Sequence, residues 1–268
     1  MYDVKNGTLT LGEKTMDYIR FGTGRRTLIL IPGLGDGLRT VKGTALPMAA
    51  MYQLFAKEFT VYAFSRVAPL RSGDTTRDMA RDLAEAMEQL GIEKASIFGV
   101  SMGGMIAQHF AVDYPEKVEK LILVVTAARS NAILEKSIGE WVALAKSGDH
   151  AAFMDSNLRL IYSQDYYRKN KWMLPAIGKL TKPKSYERFY IQAEACLTHD
   201  AFDRLQEIKA PTLVVGGGKD LALGGEASEE IAAQIPGAEL RMYDQWGHGL
   251  YEEEKEFNQL VKEFLLKS

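Results

Sequence analysis

A chain of 268 residues can bury a full core as one α/β domain and still carry an insertion. Its 33 basic and 35 acidic residues leave a formal charge of −2, which offers no global electrostatic case for nucleic acid or an anionic membrane and points to small, uncharged partners. Cys196 is the one cysteine, so an internal disulfide is excluded. No apolar run approaches membrane-spanning length and the N-terminus lacks a secretory signal pattern, so a soluble cytoplasmic protein is expected.

Residues 7–10 and 16–21 read as a hairpin around Gly12 and Glu13. Segments 27–31, 60–65, 95–100, 118–125, 212–215 and 238–243 read as mostly buried strands. Between the first two of these, residues 43–55 carry Leu46, Met48, Met51, Tyr52, Leu54 and Phe55, an apolar stripe assigned to core packing. Residues 76–90 place Met79, Leu83, Met87 and Leu90 on one helix face and stop at Gly91. Residues 102–113 repeat helical spacing with Met105, Ile106, Phe110 and Ala111, and residues 253–266 with Phe257, Leu260, Val261, Phe264 and Leu265. This alternation predicts a doubly wound sheet with right-handed crossovers.

The rhythm changes between residues 127 and 205. No comparable strand signal occurs there, whereas 133–146, 151–162 and 186–197 can be written as helices. An insertion at that point sits at the carboxyl ends of the strands and can act as a lid. The expected organisation is a core of residues 1–126 and 206–268 interrupted by a helical cap, 127–205. Trp141, Phe153, Tyr162, Tyr166, Tyr167, Trp172, Phe189 and Tyr190 make the cap aromatic, and packing onto the sheet is their ordinary role. Arg168, Lys169, Lys171, Lys179, Lys182, Lys184 and Arg188, opposed locally only by Glu187, read as a solvated face, with attraction of an anionic substrate as the alternative.

The chemistry begins at Gly99-Val100-Ser101-Met102-Gly103, where a strand turns at once into a helix. Such a turn forces the serine into a strained conformation, exposes its hydroxyl and leaves no room for neighbouring side chains, hence the glycines. A nucleophilic Ser101 needs a base, and His248 lies between Gly247 and Gly249 in the turn after the last strand. His109 lies two turns along the helix and points away; His150 and His199 suit solvated or helix-end positions. Asp220, following the strand 212–215 and Gly216–Gly218, is the carboxylate that orients the base, with Asp244 as competitor. Glycine-rich Pro32-Gly33-Leu34-Gly35 supplies the Leu34 N–H, which with the Met102 N–H forms an oxyanion site around Gly33 and Gly35. No Gly-x-Gly-x-x-Gly or Gly-Lys-Ser/Thr loop supports phosphate binding, and Cys196 has no metal-ligand neighbours and reads as structural.

The order Ser101, Asp220, His248, the nucleophile turn and the cap insertion together resemble the α/β-hydrolase family, in its capped, serine-nucleophile, carboxylesterase-like branch, over nearly the whole chain. One departure is Pro32-Gly33 where many members carry His-Gly. The resemblance implies a mostly parallel eight-stranded sheet with helices on both faces, and acyl transfer to water without metal or organic cofactor. A small ester, thioester or lactone is the expected substrate. Carbon-carbon bond hydrolysis and proline-iminopeptidase-like cleavage are the enzymatic alternatives, and a non-catalytic small-molecule receptor is the alternative from another class.

Overall fold

The structure, a computed structural model, describes residues 3–267, the side chains of Pro175, Ile177, Lys179 and Leu180 excepted. The hairpin β1 (Lys5–Leu11) and β2 (Lys14–Phe21) leads into β3 (Arg26–Ile31). Next come α1 (Ala45–Met51), β4 (Phe59–Ala68), α2 (Thr76–Gln89), β5 (Ala95–Val100), α3 (Met102–Asp113) and β6 (Val118–Val124). Five helices follow without an intervening strand: α4 (Ala132–Ser147), α5 (His150–Ile161), α6 (Gln164–Asn170), α7 (Leu174–Thr181) and α8 (Glu187–Leu197). The chain then completes the sheet with β7 (Thr212–Gly217), α9 (Glu226–Gln234), β8 (Glu239–Tyr243), α10 (Leu250–Glu253) and α11 (Phe257–Leu266).

The eight strands form one sheet in the order β1-β2-β4-β3-β5-β6-β7-β8, antiparallel at β1-β2-β4 and parallel from β4 to β8. Because successive side chains of a strand face opposite sides, a strand buried on both sides must be apolar throughout. All six residues of β5 are buried: Ile97 enters the core beneath α2 and α3, while Phe98 enters the core beneath α1 and α11. In β3, Ile29 and Ile31 take the first side and Leu28 and Leu30 the second. A capping box fixes the start of α2, with the Thr75 hydroxyl accepting the Asp78 N–H and Asp78 accepting the Thr75 N–H, and Gly91 at φ +65° ends it. No described helix is long and apolar enough to cross a membrane.

Three local expectations need correction. Strand β8 is not buried: Glu239, Leu240 and Arg241 are exposed because β8 is an edge strand with β7 as its sole strand partner, and charges on such an edge oppose further pairing. The stripe in 43–55 reaches the core only in part: Tyr52 and Phe55 are buried and Met48 packs against that core, as expected, but Leu46 and Met51 do not. Helix α1 buries Ala45 and Ala49, followed by Tyr52, whereas Leu46 is 74% exposed and Met51 lies at the surface. The helix expected over 253–266 is broken between α10 and α11, where the Glu254 carboxylate accepts the Trp246 indole N–H at 2.7 Å and the Glu256 backbone N–H at 3.1 Å, a local alternative to helical bonding.

The ends of the helical insertion are tied together. Ala201 N–H donates to Ala128 O at 2.8 Å and Ser130 N–H to His199 O at 3.1 Å, so the segment leaves and rejoins the sheet at one place. His199, just past α8, is buried rather than solvated; its Nδ1 lies 2.9 Å from the Thr76 hydroxyl and its ring meets His109 edge-on at 5.0 Å. His150 opens α5, equally buried, with Nδ1 2.5 Å from the Tyr186 hydroxyl. The helix-end positions expected of both histidines hold, and the solvated ones do not.

Burial lowers His109 to a pKa of about 4 and His199 to about 3. In the unfolded chain both take up protons below about 6.5. Unfolding therefore binds protons that the folded state refuses, and stability falls as pH drops from 6.5 toward 4. For the pair, stability is expected to fall by on the order of 3 kcal/mol between pH 7 and 5. Urea midpoints at the two pH values measure this. The His109→Gln/His199→Gln variant should lose most of the difference, and an unchanged difference contradicts the assignment.

Candidate active site

Ser101 lies at φ 53°, ψ −123°, between β5 and α3, a conformation that non-glycine residues rarely adopt. Its backbone is held on both sides: the N–H donates to Val124 O at 2.9 Å, and the carbonyl accepts the Gly104 N–H and the Thr126 hydroxyl, each at 2.8 Å. The glycines have a steric cause. A Cβ at Gly103 would stand 1.9 Å from Ile31 O, and one at Gly99 would stand 2.5 Å from Gly103 O. Helix α3 therefore starts hard against the ends of β3 and β5, and no side chain fits between.

His248 occupies the turn between β8 and α10 and is 4% exposed. Its Nδ1 lies 2.8 Å from Asp220 Oδ2. The other Asp220 oxygen, Oδ1, accepts the Ala222 and Leu223 N–H groups at 2.8 and 2.9 Å, so the carboxylate has a fixed rotamer before it meets the ring. The flanking Gly247 and Gly249 are close-approach positions: a Cβ would stand 3.0 Å from Lys219 O at the first and 2.7 Å from the Tyr162 ring at the second. Asp244 is exposed, and its backbone passes Gly218; Asp220 is the carboxylate on the histidine.

Ser101 and His248 line one small cavity, together with Leu34 and Met102. Leu34 begins the short 3-10 turn Leu34–Gly37 and Met102 begins α3, so the N–H of each has no acceptor within its own helix. A Cβ at Gly33 would stand 3.3 Å from Ser101 Cβ and 3.7 Å from its hydroxyl, which puts the loop after β3 directly beside the serine. Gly35 stands apart, with nothing within 4 Å of its Cβ position. Its place among the site residues is therefore not one of close approach.

The remaining cavity wall is apolar: Met105 below, Leu134, Ile138 and Trp141 of α4, and Ala222 and Leu223 beside Asp220. Cys196 of α8 also lines it, which the isolated cysteine did not suggest; burial pushes its thiol up to about 12, so it presents a neutral wall. Among the cap aromatics only Trp141 joins this lining; Phe153 and Phe189 pack edge-on at 5.3 Å, Tyr162 stacks on Tyr166 at 4.3 Å, and Trp172 is 76% exposed. Among the described residues no group of three His, Cys, Asp or Glu side chains converges as a metal site.

The basic cluster is solvated as expected at Arg168, Lys169, Lys171, Lys182 and Lys184, with Arg188 as the exception. Lys169, Lys182 and Lys184 are exposed, and Arg168 pairs with Asp165 at 2.6 Å; the side chain of Lys179 lies outside the described residues. Arg188 turns inward to the carboxylate of Asp36, at 2.5 Å. That inward turn was not readable from a run of cations whose members differ only in what the fold brings to them.

The profile of the α/β hydrolase fold family matches residues 26–255. A 2-hydroxy-6-oxononadienedioate/2-hydroxy-6-oxononatrienedioate hydrolase of Burkholderia vietnamiensis is 28% identical, covering 98% of this chain and 93% of its own. RutD of Caulobacter sp., named as a candidate carbamate hydrolase, is 26% identical over 90% of this chain and 91% of its own. An α/β hydrolase enzyme from a Medee basin deep-sea metagenome library superposes with a TM-score of 0.84 at 25% identity, covering 98% of both chains. The enol-lactonase of Burkholderia xenovorans superposes at 0.83 with 23% identity, over 97% of this chain and all of its own, a likeness of fold. With its mostly parallel eight-stranded sheet and this match along most of its length, the chain belongs to the α/β hydrolase family and is a hydrolase.

Proposed function

We propose that the protein hydrolyses small, uncharged carboxylic esters, thioesters or lactones through an acyl-enzyme on Ser101. The observation that carries this reading is the buried Asp220–His248 pair, whose histidine lines one small apolar cavity with a strained serine. Asp220 holds the tautomer in which Nδ1 bears the proton, leaving Nε2 free to accept one. In acylation, Ser101 Oγ bonds to the carbonyl carbon while His248 Nε2 takes its proton. The carbonyl oxygen gains negative charge opposite the Leu34 and Met102 N–H groups, which lose no energy in reorienting. Collapse expels the alcohol, thiol or ring oxygen, which takes the proton from His248. In deacylation a water gives its proton to His248 and its oxygen to the acyl carbon; the acid departs and Oγ recovers the proton.

The cavity walls favour an uncharged acyl group. A carboxylate buried against Leu134, Ile138 and Trp141 would lack a cation and cost several kcal/mol. For that reason the dioate named for the relative from Burkholderia vietnamiensis is a poorer match to this site than a neutral ester. Residues 127–205 act in this proposal as the cap, with α4 and α8 forming the acyl wall over a core of 1–126 and 206–268.

Initial rates over p-nitrophenyl esters from acetyl to decanoyl, with aminoacyl anilides alongside, test the proposal. Turnover is expected on short acyl chains and to fall steeply on long ones, with no anilide preferred. Preference for an anilide, or no turnover on any ester, contradicts it.

A further inference from the structure

Packed against the loop that carries Leu34 lies a buried polar cluster that acyl transfer itself does not use. The wholly buried Asp36 carboxylate accepts the Arg66 backbone N–H at 3.1 Å, Arg188 Nη2 at 2.5 Å and Gln192 Nε2 at 3.3 Å. Arg66, on β4 and 4% exposed, sends Nη2 to Pro32 O at 2.5 Å and, more weakly, to Gly33 O at 3.5 Å. Its Nε and Nη1 make no hydrogen bond to the described residues. A guanidinium buried in this way is expensive, and an apolar side chain of similar length would fill the space at lower cost. What its donors do accomplish is to hold two successive carbonyls of the loop.

The Gly33 carbonyl shares a peptide plane with the Leu34 N–H, and the Pro32 carbonyl fixes the residue before it. The Gly33–Leu34 peptide is trans, so its C=O and N–H lie antiparallel. Gly33 O is drawn toward the cluster by Arg66 and by the Asp36 N–H, at 3.2 Å. The Leu34 N–H is thereby turned away from the Arg66 guanidinium, and Ser101 stands beside Gly33 and lines the same cavity as Leu34. Arg188 fastens the same turn from the cap: besides the Asp36 carboxylate it donates to Asp36 O at 3.1 Å, Val67 O at 2.7 Å and Arg66 O at 2.8 Å. We infer that Arg66 is a positioning residue that aims the Leu34 N–H at the substrate oxygen by holding the Pro32 and Gly33 carbonyls. This inference rests on the acyl-enzyme reading of Ser101.

Oxyanion geometry is read by comparing a p-nitrophenyl ester with its thiono counterpart, since a site built for oxygen discriminates against the larger, weaker acceptor sulfur. In Arg66→Met, kcat for the oxo ester should fall roughly 100-fold with KM changed by less than about threefold, and the oxo-to-thiono rate ratio should fall roughly tenfold. Arg66→Lys, which keeps the charge and one donor group, should give intermediate values, and it carries the test alone if Arg66→Met does not fold. A merely structural loss lowers the active fraction and slows both esters alike, leaving the ratio unchanged. An unchanged ratio in a folded variant overturns the inference. Labelling of the wild type by a fluorophosphonate separates the two ideas: a labelled Ser101 with an unchanged variant ratio removes Arg66 alone, whereas an unlabelled Ser101 removes the acyl-enzyme reading and the inference with it.

Discussion

Ser101→Ala is expected to lower kcat for the preferred ester by on the order of 10⁶-fold while leaving the fold intact, because the nucleophile and its base act as a unit and either loss removes the covalent route. The fold should tolerate the change. Alanine retains the Cβ that packs near Gly33, and the backbone bonds of residue 101 to Val124 and Gly104 involve no side-chain atom. The φ of 53° is strained for either residue, so the urea midpoint should move little. Rates measured on wild type and variant, with a urea melt of each, check both halves. A variant that keeps the full rate assigns the chemistry elsewhere.

Asp220→Asn is expected to cost about 10⁴-fold in kcat at neutral pH, and the structure indicates why. One carboxylate oxygen accepts two backbone N–H groups, from Ala222 and Leu223, so an asparagine must keep its carbonyl oxygen there. Its NH₂ then faces His248 Nδ1, at a position now 2.8 Å from an acceptor. A donor in that position selects the tautomer with the proton on Nε2, which cannot accept the serine proton. Asp244→Asn is the control: the residue is exposed and should leave kcat within about twofold. If Asp244→Asn causes the large loss instead, the orienting acid has been misassigned.

What the sequence made legible shares a property. The turn around Ser101 is written within five residues, since the glycines that admit α3 lie next to the serine that needs them. Asp220 could be placed because it follows an apolar run and His248 because it lies in a glycine-flanked turn after the last strand, and the carboxyl ends of parallel strands lie on one edge of the sheet. Features decided by distant partners were not legible. Arg188 sits in a run of cations, and its buried partner Asp36 is 152 residues away. His199 turns inward because Thr76 and His109, on two other helices, close over it. Cys196 lies on a helix whose facing was not readable until α8 was seated beside α4 over the cavity. A signal for the Asp36 cluster did exist: Arg66 is a lone cation in a strand whose preceding seven residues contain no charge. An isolated arginine in such a run requires a buried acceptor.

The measurement that tests the central claim most directly is the covalent intermediate. Protein mixed with a p-nitrophenyl ester and quenched in acid within the first turnover should release a burst of about one equivalent of p-nitrophenol. Mass spectrometry of the tryptic peptide spanning residues 95–117 should then find the acyl mass on Ser101, and the Ser101→Ala protein should show neither burst nor adduct. Turnover with no adduct, or an adduct on Cys196 instead, would contradict the account.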